Sequence, residues 1–325
     1  MDWNGINVLV TGGAGFIGSH LVEELLGRGA RVTAFVRYTS RASVGFLSSL
    51  TTDLRIVAGD LTEFESVYQA MKDQEYVFHL GALIGVPYSF VHPREVVQVN
   101  TIGTLNVLTA AREVRPRRVI LTSTSEVYGT AQYVPIDEAH PLQAQSPYAA
   151  SKIAADKLGE AFHHSYDLPV SIIRPFNTFG PRQSLRAVIP TIIAQALQGG
   201  PVLLGATAPV RDFTFVEDTV RGMVRGAEVD EAIGEVINVG TGREISIGDL
   251  AKKIIAIIGR DVEIHSDEQR LRPGTSEVHR LCCDNAKAQR LLGWQPQYSL
   301  DEGLKEVIGW MSESKAFEET RRYHI

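Results

Sequence analysis

The chain has 325 residues, 44% of them hydrophobic, which is enough apolar material for one large or two ordinary buried cores. Its formal net charge of −6 and pI near 5.9 lack the basic excess that a phosphate backbone requires, so nucleic acid is not an expected partner, whereas small anions held by local arginines are. No apolar run approaches the roughly 20 residues of a membrane span, and "MDWNGINVLV" has no cationic start ahead of its short apolar stretch, which predicts a cytoplasmic protein with no membrane partner. In chain order, the first apolar run (6–12, "INVLVTG") opens directly onto "TGGAGFIG" at 11–18, with Gly12, Gly15 and Gly18 spaced three apart and a helix predicted from Phe16 and Ile17. Glycines at this spacing let a backbone turn tightly and approach a pyrophosphate, whose charge is met by the amides of the helix N-terminus. The strand before and the helix after are the context that the mechanism requires, and they predict dinucleotide binding.

The second run (31–36, "RVTAFV") ends at Val36 and Arg37, with Arg41 close by, where an acidic residue would accept from an adenosine ribose 2′-hydroxyl. Arginine there suits a 2′-phosphate and hence NADP; stacking on adenine or facing solvent are the alternatives. The third run (54–60, "LRIVAGD") ends at Asp60, placed to meet the adenine edge or to cap a helix, and is followed by Leu61. A fourth (75–82, "EYVFHLGA") brings Leu80 to the same expected cofactor edge. The fifth (117–124, "RRVILTST") delivers Thr124, with Ser125 and Glu126 directly after it, and the sixth (170–177, "VSIIRPFN") ends at Asn177. Amphipathic stretches at 16–28, 93–113 and 147–166 lie between. Continuous Val/Ile/Leu runs predict strands covered on both faces, and therefore an α/β doubly wound parallel sheet.

In "SPYAASK" (146–152), Ser146 as cap and Pro147 at the first helical position predict a helix start that puts Tyr148 and Lys152 on one face. A phenol beside an ammonium and a cationic nicotinamide has its phenolate favoured, and it can take a proton from a hydroxyl while hydride leaves the same carbon. After Pro181 the rhythm changes to a helix near 187–198 and a late strand "EVINVG" (235–240) that can return to the sheet. This predicts a dinucleotide-binding domain over 1–177 with 212–245 returning to it. A smaller C-terminal α/β substrate domain would come from 178–211 and 246–325. Cys282 and Cys283 are adjacent, which gives neither a disulfide framework nor metal-ligand spacing. His79, His163, His164 and the terminal "RRYHI" read as core or surface residues.

Together, "TGGAGFIG", "STSEVYG" and "YAASK", in this order and at these distances, resemble the extended short-chain dehydrogenase/reductase family over almost the whole chain. "RPFNTFGPR", "RDFTFVED" and "LGWQPQYSLDEGL" are similar to its nucleotide-sugar epimerases and dehydratases. The resemblance implies a Rossmann fold, a tightly bound NAD or NADP regenerated each turnover, and a catalytic Thr124, Tyr148 and Lys152. It also implies substrate contacts for a nucleoside-diphosphate sugar at Asn177, Arg186, Arg211, Arg272 and Glu277. By residue type alone, Asn177 could instead cap a turn, and Arg211 with Asp212 could be a surface pair. A homodimer through helices near 93–113 and 147–166 is the family's usual assembly.

Glu126 separates the reactions open to such a site. A 4-epimerase oxidises carbon 4, rotates the ketone and returns the hydride, with no second base. A 4,6-dehydratase must also remove the carbon 5 proton and expel the carbon 6 hydroxyl as water, and a carboxylate two residues beyond Thr124 suits that work, with a pKa expected to rise in a closed pocket. A UDP-glucuronate decarboxylase, or an epimerase in which Glu126 only binds sugar, are the other readings. "GALIGVPYSF", "STSEVYGTAQYVPI" and "RPFNTFGPRQSLRAVIPTII" resemble the NAD-dependent 4,6-dehydratases acting on UDP- or GDP-N-acetylglucosamine in the legionaminic acid route. One departure is Ser125, where dTDP-glucose 4,6-dehydratases carry an Asp as acid for the leaving hydroxyl. Glu126 itself, Ser125 or a bound water must then take that role.

Overall fold

A computed structural model describes residues 1–38, 44–50, 53–271 and 273–314 of the protein. Six strands form in the first 175 residues, where the apolar runs predict them: β1 (Asn7–Thr11), β2 (Arg31–Arg37), β3 (Leu54–Gly59), β4 (Tyr76–His79), β5 (Arg118–Thr122) and β6 (Val170–Pro175). Four short strands follow, β7 (Thr178–Phe179), β8 (Val202–Leu204), β9 (Val210–Arg211) and β10 (Thr214–Phe215). Then come β11 (Val236–Val239), β12 (Ile245–Ser246) and β13 (Ile264–Ser266). The large sheet runs β3-β2-β1-β4-β5-β6-β11 with every pair parallel, so the late strand does return, as an edge beside β6. The short strands pair separately, β7 with β10, β9 with β12 and β8 with β13.

Helices cover both faces. Val8 and Val10 of β1, Val32 and Ala34 of β2, Phe78 of β4 and Ile120 of β5 point to one side, where they pack with α1 (Phe16–Gly27). Leu9, Phe35, Val77, Val119 and Leu121 point to the other, beneath α2 (Phe64–Met71). On that second side follow α3 (Val86–Val91), α4 (Pro93–Val97), α5 (Gly103–Val114) and α6 (Pro147–Tyr166). The alternation is the period of two of a strand, and here each side is apolar because each is covered. The edge strand β3 departs from this, since Arg55, Ile56 and Ala58 are exposed.

The remaining helices are α7 (Val188–Gln198), α8 (Val216–Glu228), α9 (Ile247–Ile258), α10 (Ala286–Leu292) and α11 (Leu300–Ser314). The core on the α1 side continues through Val220 and Val224 of α8 into Ile192 of α7, Ile254 of α9 and Leu304 and Val307 of α11. Each such side chain taken from water contributes about 1.5–3 kcal/mol, so this continuous apolar seam fixes the later helices against the sheet. Among the described residues no helix is long and apolar enough to cross a membrane.

Candidate active site

In a parallel sheet the strand carboxyl ends share one edge, and ligands bind where strand order reverses. Here β1 stands between β2 and β4, which places the crevice at the ends of β1 and β4. The turn after β1 is built for close approach. Gly12 has φ +70°, and a Cβ there would lie 2.9 Å from the Gly81 backbone, while a Cβ on Gly18 would lie 2.2 Å from the Gly12 carbonyl oxygen. Neither position tolerates a side chain without moving backbone. Gly15 is the N-cap of α1, supplies no side-chain cap and is followed by no acidic residue in the first turn. The amides of Phe16 and Ile17 therefore meet no side-chain acceptor at that cap, which fits a pyrophosphate.

Around this loop the structure gathers the other expected cofactor contacts. A Cβ on Gly81 would meet Leu61 Cδ1 at 2.7 Å, and the Leu80 amide donates to the Thr11 hydroxyl at 3.2 Å, so Leu61 and Leu80 flank the glycine that faces Gly12. Asp60 accepts from the Thr62 amide at 2.9 Å and its hydroxyl at 2.8 Å. The Thr62 amide chiefly, with its hydroxyl and Arg37 assisting against slight burial, holds the Asp60 carboxyl below its ordinary value. It closes a local turn and does not cap α2, whose N-cap is Glu63. Arg37 is 68% exposed at the end of β2, and its guanidinium lies 3.7 Å from Glu95 Oε1 of α4. Arg41 and Arg272 lie outside the described residues.

The chemical end of the crevice is equally local in origin. Thr124, in extended conformation, caps a single 3₁₀ turn over Ser125–Tyr128 and accepts from the Glu126 amide at 3.2 Å. Ser125 is buried and Glu126 half-buried. Ser146 accepts from the Ala149 amide at 3.1 Å and Pro147 opens α6, as the sequence predicts. Such a cap is worth about 1 kcal/mol. Burial raises the Tyr148 phenol above its ordinary value; a hydrogen bond from Thr124 opposes this, and the nearby charges of Glu126 and then Asp156 add to it. Thr124, Glu126 and Tyr148 thus share one site.

Lys152 shares the face of α6 that carries Tyr148, and its ammonium donates to the Thr122 carbonyl at 2.6 Å, which ties it to the end of β5. Burial lowers its pKa, and Asp156, one helical turn further along α6, pulls the other way. Asp156 Oδ2 in turn accepts from Ser123 at 2.7 Å and from Arg174 at 3.0 Å, and Arg174 donates to the Tyr128 hydroxyl at 2.9 Å. All four partners are buried. This chain escapes sequence reading except for one signal, the spacing of four between Lys152 and Asp156.

A second buried chain was also missed. Thr11 Oγ1 accepts from the Leu80 and Gly81 amides at 3.2 and 3.1 Å, which occupies both lone pairs, so its proton goes to His79 Nδ1 at 2.7 Å. His79 then carries its proton on Nε2 and donates to Thr104 at 3.0 Å, and Thr104 donates to the Asn100 carbonyl at 2.6 Å. The Asn100 amide donates to the Leu83 carbonyl and to Ser151 Oγ, each at 3.0 Å. His79 is therefore a core residue, but one with two partners that tie the glycine loop to the helix of Tyr148 and Lys152. His163 likewise has a partner, the Leu168 carbonyl at 3.0 Å from Nδ1.

Of the expected substrate contacts, Asn177 lies at the head of the β7–β10 pair, its carbonyl accepting from the Thr214 amide at 3.1 Å. Its buried Oδ1 has no hydrogen-bond partner, nor have Gln183 Oε1 and Thr214 Oγ1 nearby in the chain trace, a pattern that fits acceptors and donors kept for a ligand. Arg211 is buried and pairs with Glu277 at 3.3 Å, not with Asp212. Asp212 instead accepts from the amides of Thr241, Gly242 and Cys283. Arg186 is exposed at the start of α7 and acts electrostatically on Tyr88 of α3, on the Arg37 side of the crevice. The structure therefore brings Arg211 and Glu277 together. Cys282 and Cys283 are buried free thiols.

A family model described as GDP-mannose 4,6 dehydratase matches residues 9–307. The chain belongs to this family. Its place is in the extended short-chain dehydrogenase/reductases, in their NAD-dependent epimerase/dehydratase group. Relatives in the family differ in reaction. The UDP-glucose 4-epimerase of Mycolicibacterium smegmatis is 35% identical, over 93% of this chain and 97% of its own. The UDP-N-acetyl-alpha-D-glucosaminuronate decarboxylase of Bacillus cytotoxicus is also 35% identical, over 94% and 97%. The dTDP-glucose 4,6-dehydratase of Streptomyces venezuelae, solved with NAD bound, superposes with a TM-score of 0.86 at 31% identity, covering 96% of this chain and 98% of that one.

Proposed function

We propose that the protein is a nucleotide-sugar 4,6-dehydratase that uses bound NAD(P) and turns an NDP-hexose, UDP- or GDP-N-acetylglucosamine by resemblance, into its 4-keto-6-deoxy sugar. The observation that carries this reading is the Glu126 carboxylate, held by the Thr124 turn close enough to Tyr148 to raise its pKa. Residues 1–177 with 212–245 hold the dinucleotide, and 178–211 with the chain from 246 onward hold the nucleotide sugar through Arg211 and Glu277, with Asn177 contributed from the end of the first part.

A dinucleotide held at the loop of Gly12, Gly15 and Gly18 would supply hydride uptake from carbon 4 of the sugar and its return at carbon 6, so no oxidant would be consumed. Thr124 orients the carbon 4 hydroxyl and Tyr148 receives its proton. Burial raises the Tyr148 pKa, and a cationic nicotinamide beside the phenol would pull it the other way. Glu126 then takes the carbon 5 proton, which the neighbouring ketone makes acidic, and gives it to the hydroxyl leaving carbon 6 as water. The C5–H and C6–O bonds break and a C5–C6 double bond forms; when carbon 6 receives hydride, carbon 5 takes a solvent proton by way of Glu126 and Tyr148 releases the carbon 4 hydroxyl proton to solvent, so one water is the net loss. With serine at position 125, Glu126 serves as both base and acid.

A second reading, 4-epimerase or decarboxylase, draws on the two relatives that share 35% identity. Incubation of UDP-N-acetylglucosamine, its GDP analogue, UDP-glucose and UDP-glucuronate in deuterated water, followed by mass spectrometry and proton NMR, separates the three. Loss of one water with deuterium at carbon 5 is the expected result. An unchanged mass with inverted carbon 4, or loss of carbon dioxide, would overturn it. Glu126→Gln should abolish water loss, by 10²-fold or more, while the dinucleotide stays bound.

A further inference from the structure

The cofactor cleft contains a charge arrangement that neither the dinucleotide loop nor the dehydration chemistry uses. At the end of β2, where an acidic residue would accept from the ribose 2′-hydroxyl, the chain has Arg37. Taken alone, Arg37 selects for a 2′-phosphate. In the folded protein it is not alone. Glu95, in the first turn of α4, reaches it at 3.7 Å, and Asp60 lies near enough for Arg37 to act on its titration. A cleft of about 540 Å³ opens between β2 and α4, and among the described residues its lining carries two cations, Arg37 and Arg94, against two anions, Asp60 and Glu95.

Glu95 is also held in place. The Tyr88 hydroxyl donates to Glu95 Oε2 at 2.5 Å, from α3 across the break at His92 and Pro93. The Tyr88 ring in turn lies 4.5 Å from that of His92. The carboxylate is thus presented to Arg37 by a partner from a separate helix, and a 2′-phosphate drawn to Arg37 would have to approach this carboxylate as well. Such a phosphate carries about −1.5 to −2 charges at neutral pH.

We infer that Glu95, presented by Tyr88, cancels Arg37 and is the specificity-determining residue that makes this cleft select NAD over NADP. The inference rests on the NAD(P) reading of the glycine loop, and it is independent of which sugar reaction follows. Glu95 supplies from α4 the acceptor that β2 lacks.

The test is an equilibrium exchange on the full-length protein as purified. The protein is incubated with equimolar NAD and NADP at pH 8, so that ordinary imidazoles stay out of the charge count. Free dinucleotide is removed and the bound fraction is quantified by mass spectrometry. The wild type should hold mostly NAD, and Glu95→Gln should move the bound ratio about tenfold toward NADP. Arg37→Gln alone should move it further toward NAD, and the double variant should lose the Glu95→Gln effect. A wild type that holds mostly NADP, or a Glu95→Gln ratio within twofold of wild type, would overturn the inference. Both side chains are on the surface, and melting curves check that the variants are folded. Failure of the NAD(P) reading itself would appear separately, as no dinucleotide bound to any of the four proteins.

Discussion

At the scale of single residues, a buried ion pair lies directly behind the candidate site. Asp156 and Arg174 are both 2% exposed and form an ion pair at 3.0 Å, one turn along α6 from Lys152. Breaking such a pair leaves a buried charge unmatched, at a cost of about 3–5 kcal/mol, so Asp156→Asn should lower the melting temperature clearly. It should also act on Lys152. Burial already lowers the lysine pKa and Asp156 opposes that, so removing the carboxylate lowers it further. Lys152 then loses its proton at a lower pH, and the alkaline limb of the pH–rate profile should shift to lower pH, a change that a purely structural defect would not produce. His79 gives a second pH dependence. Burial, with Lys152 assisting, takes its folded pKa from 6.5 to about 3. Between those values the unfolded chain binds the extra proton, so stability rises with pH in that window and is lost as pH falls from about 6.5 to about 3. Urea unfolding across that range should show a slope of roughly 1.4 kcal/mol per pH unit from this group, reduced in His79→Gln. The placement of Tyr148, Lys152 and Glu126 is readable in sequence because the cap of α6 and the turn after β5 are set by spacing within a few residues. His79 and Asn100 are not, because their roles exist only once β1, β4 and α6 are side by side.

At the scale of elements, the glycine loop and the catalytic helix were legible because local rules decide them. Gly12, Gly15 and Gly18 announce the turn, and Ser146 with Pro147 announces the start of α6. A methyl at Gly18 would strike the Gly12 carbonyl at 2.2 Å, which no rotamer change relieves. Gly18→Ala should therefore open the loop and weaken NAD binding by tenfold or more, measured by calorimetry, with the sheet intact by circular dichroism. The stretch 93–113 was read as one amphipathic helix. It folds as α4, a π-helical turn over Gln98–Ile102, and α5. That turn buries the Asn100 side chain toward Leu83 and Ser151, a reason for the irregularity that periodicity does not carry.

At the scale of the molecule, the order of the parallel sheet followed from the alternation of runs and helices, whereas the later third did not yield its detail. Apart from β11, the strands after residue 177 are two or three residues long, too short for a period to register, and they are defined by partners elsewhere in the chain. Val97 and Ile102 are 43% and 39% exposed on the stretch expected to form a subunit bundle. Sedimentation of the full-length chain should give a dimer, and Val97→Asp with Ile102→Asp should give a folded monomer. The return of β11 to the sheet has a consequence in time. β6, which leads into the Asn177 crevice, gains its second neighbour only from residues 236–239, some sixty positions later in synthesis. Until those residues leave the ribosome, β6 presents an unpaired edge, the kind of surface on which foreign strands dock. A nascent chain stalled before residue 236 should accordingly be captured by chaperones and aggregate, and one released past residue 239 should not.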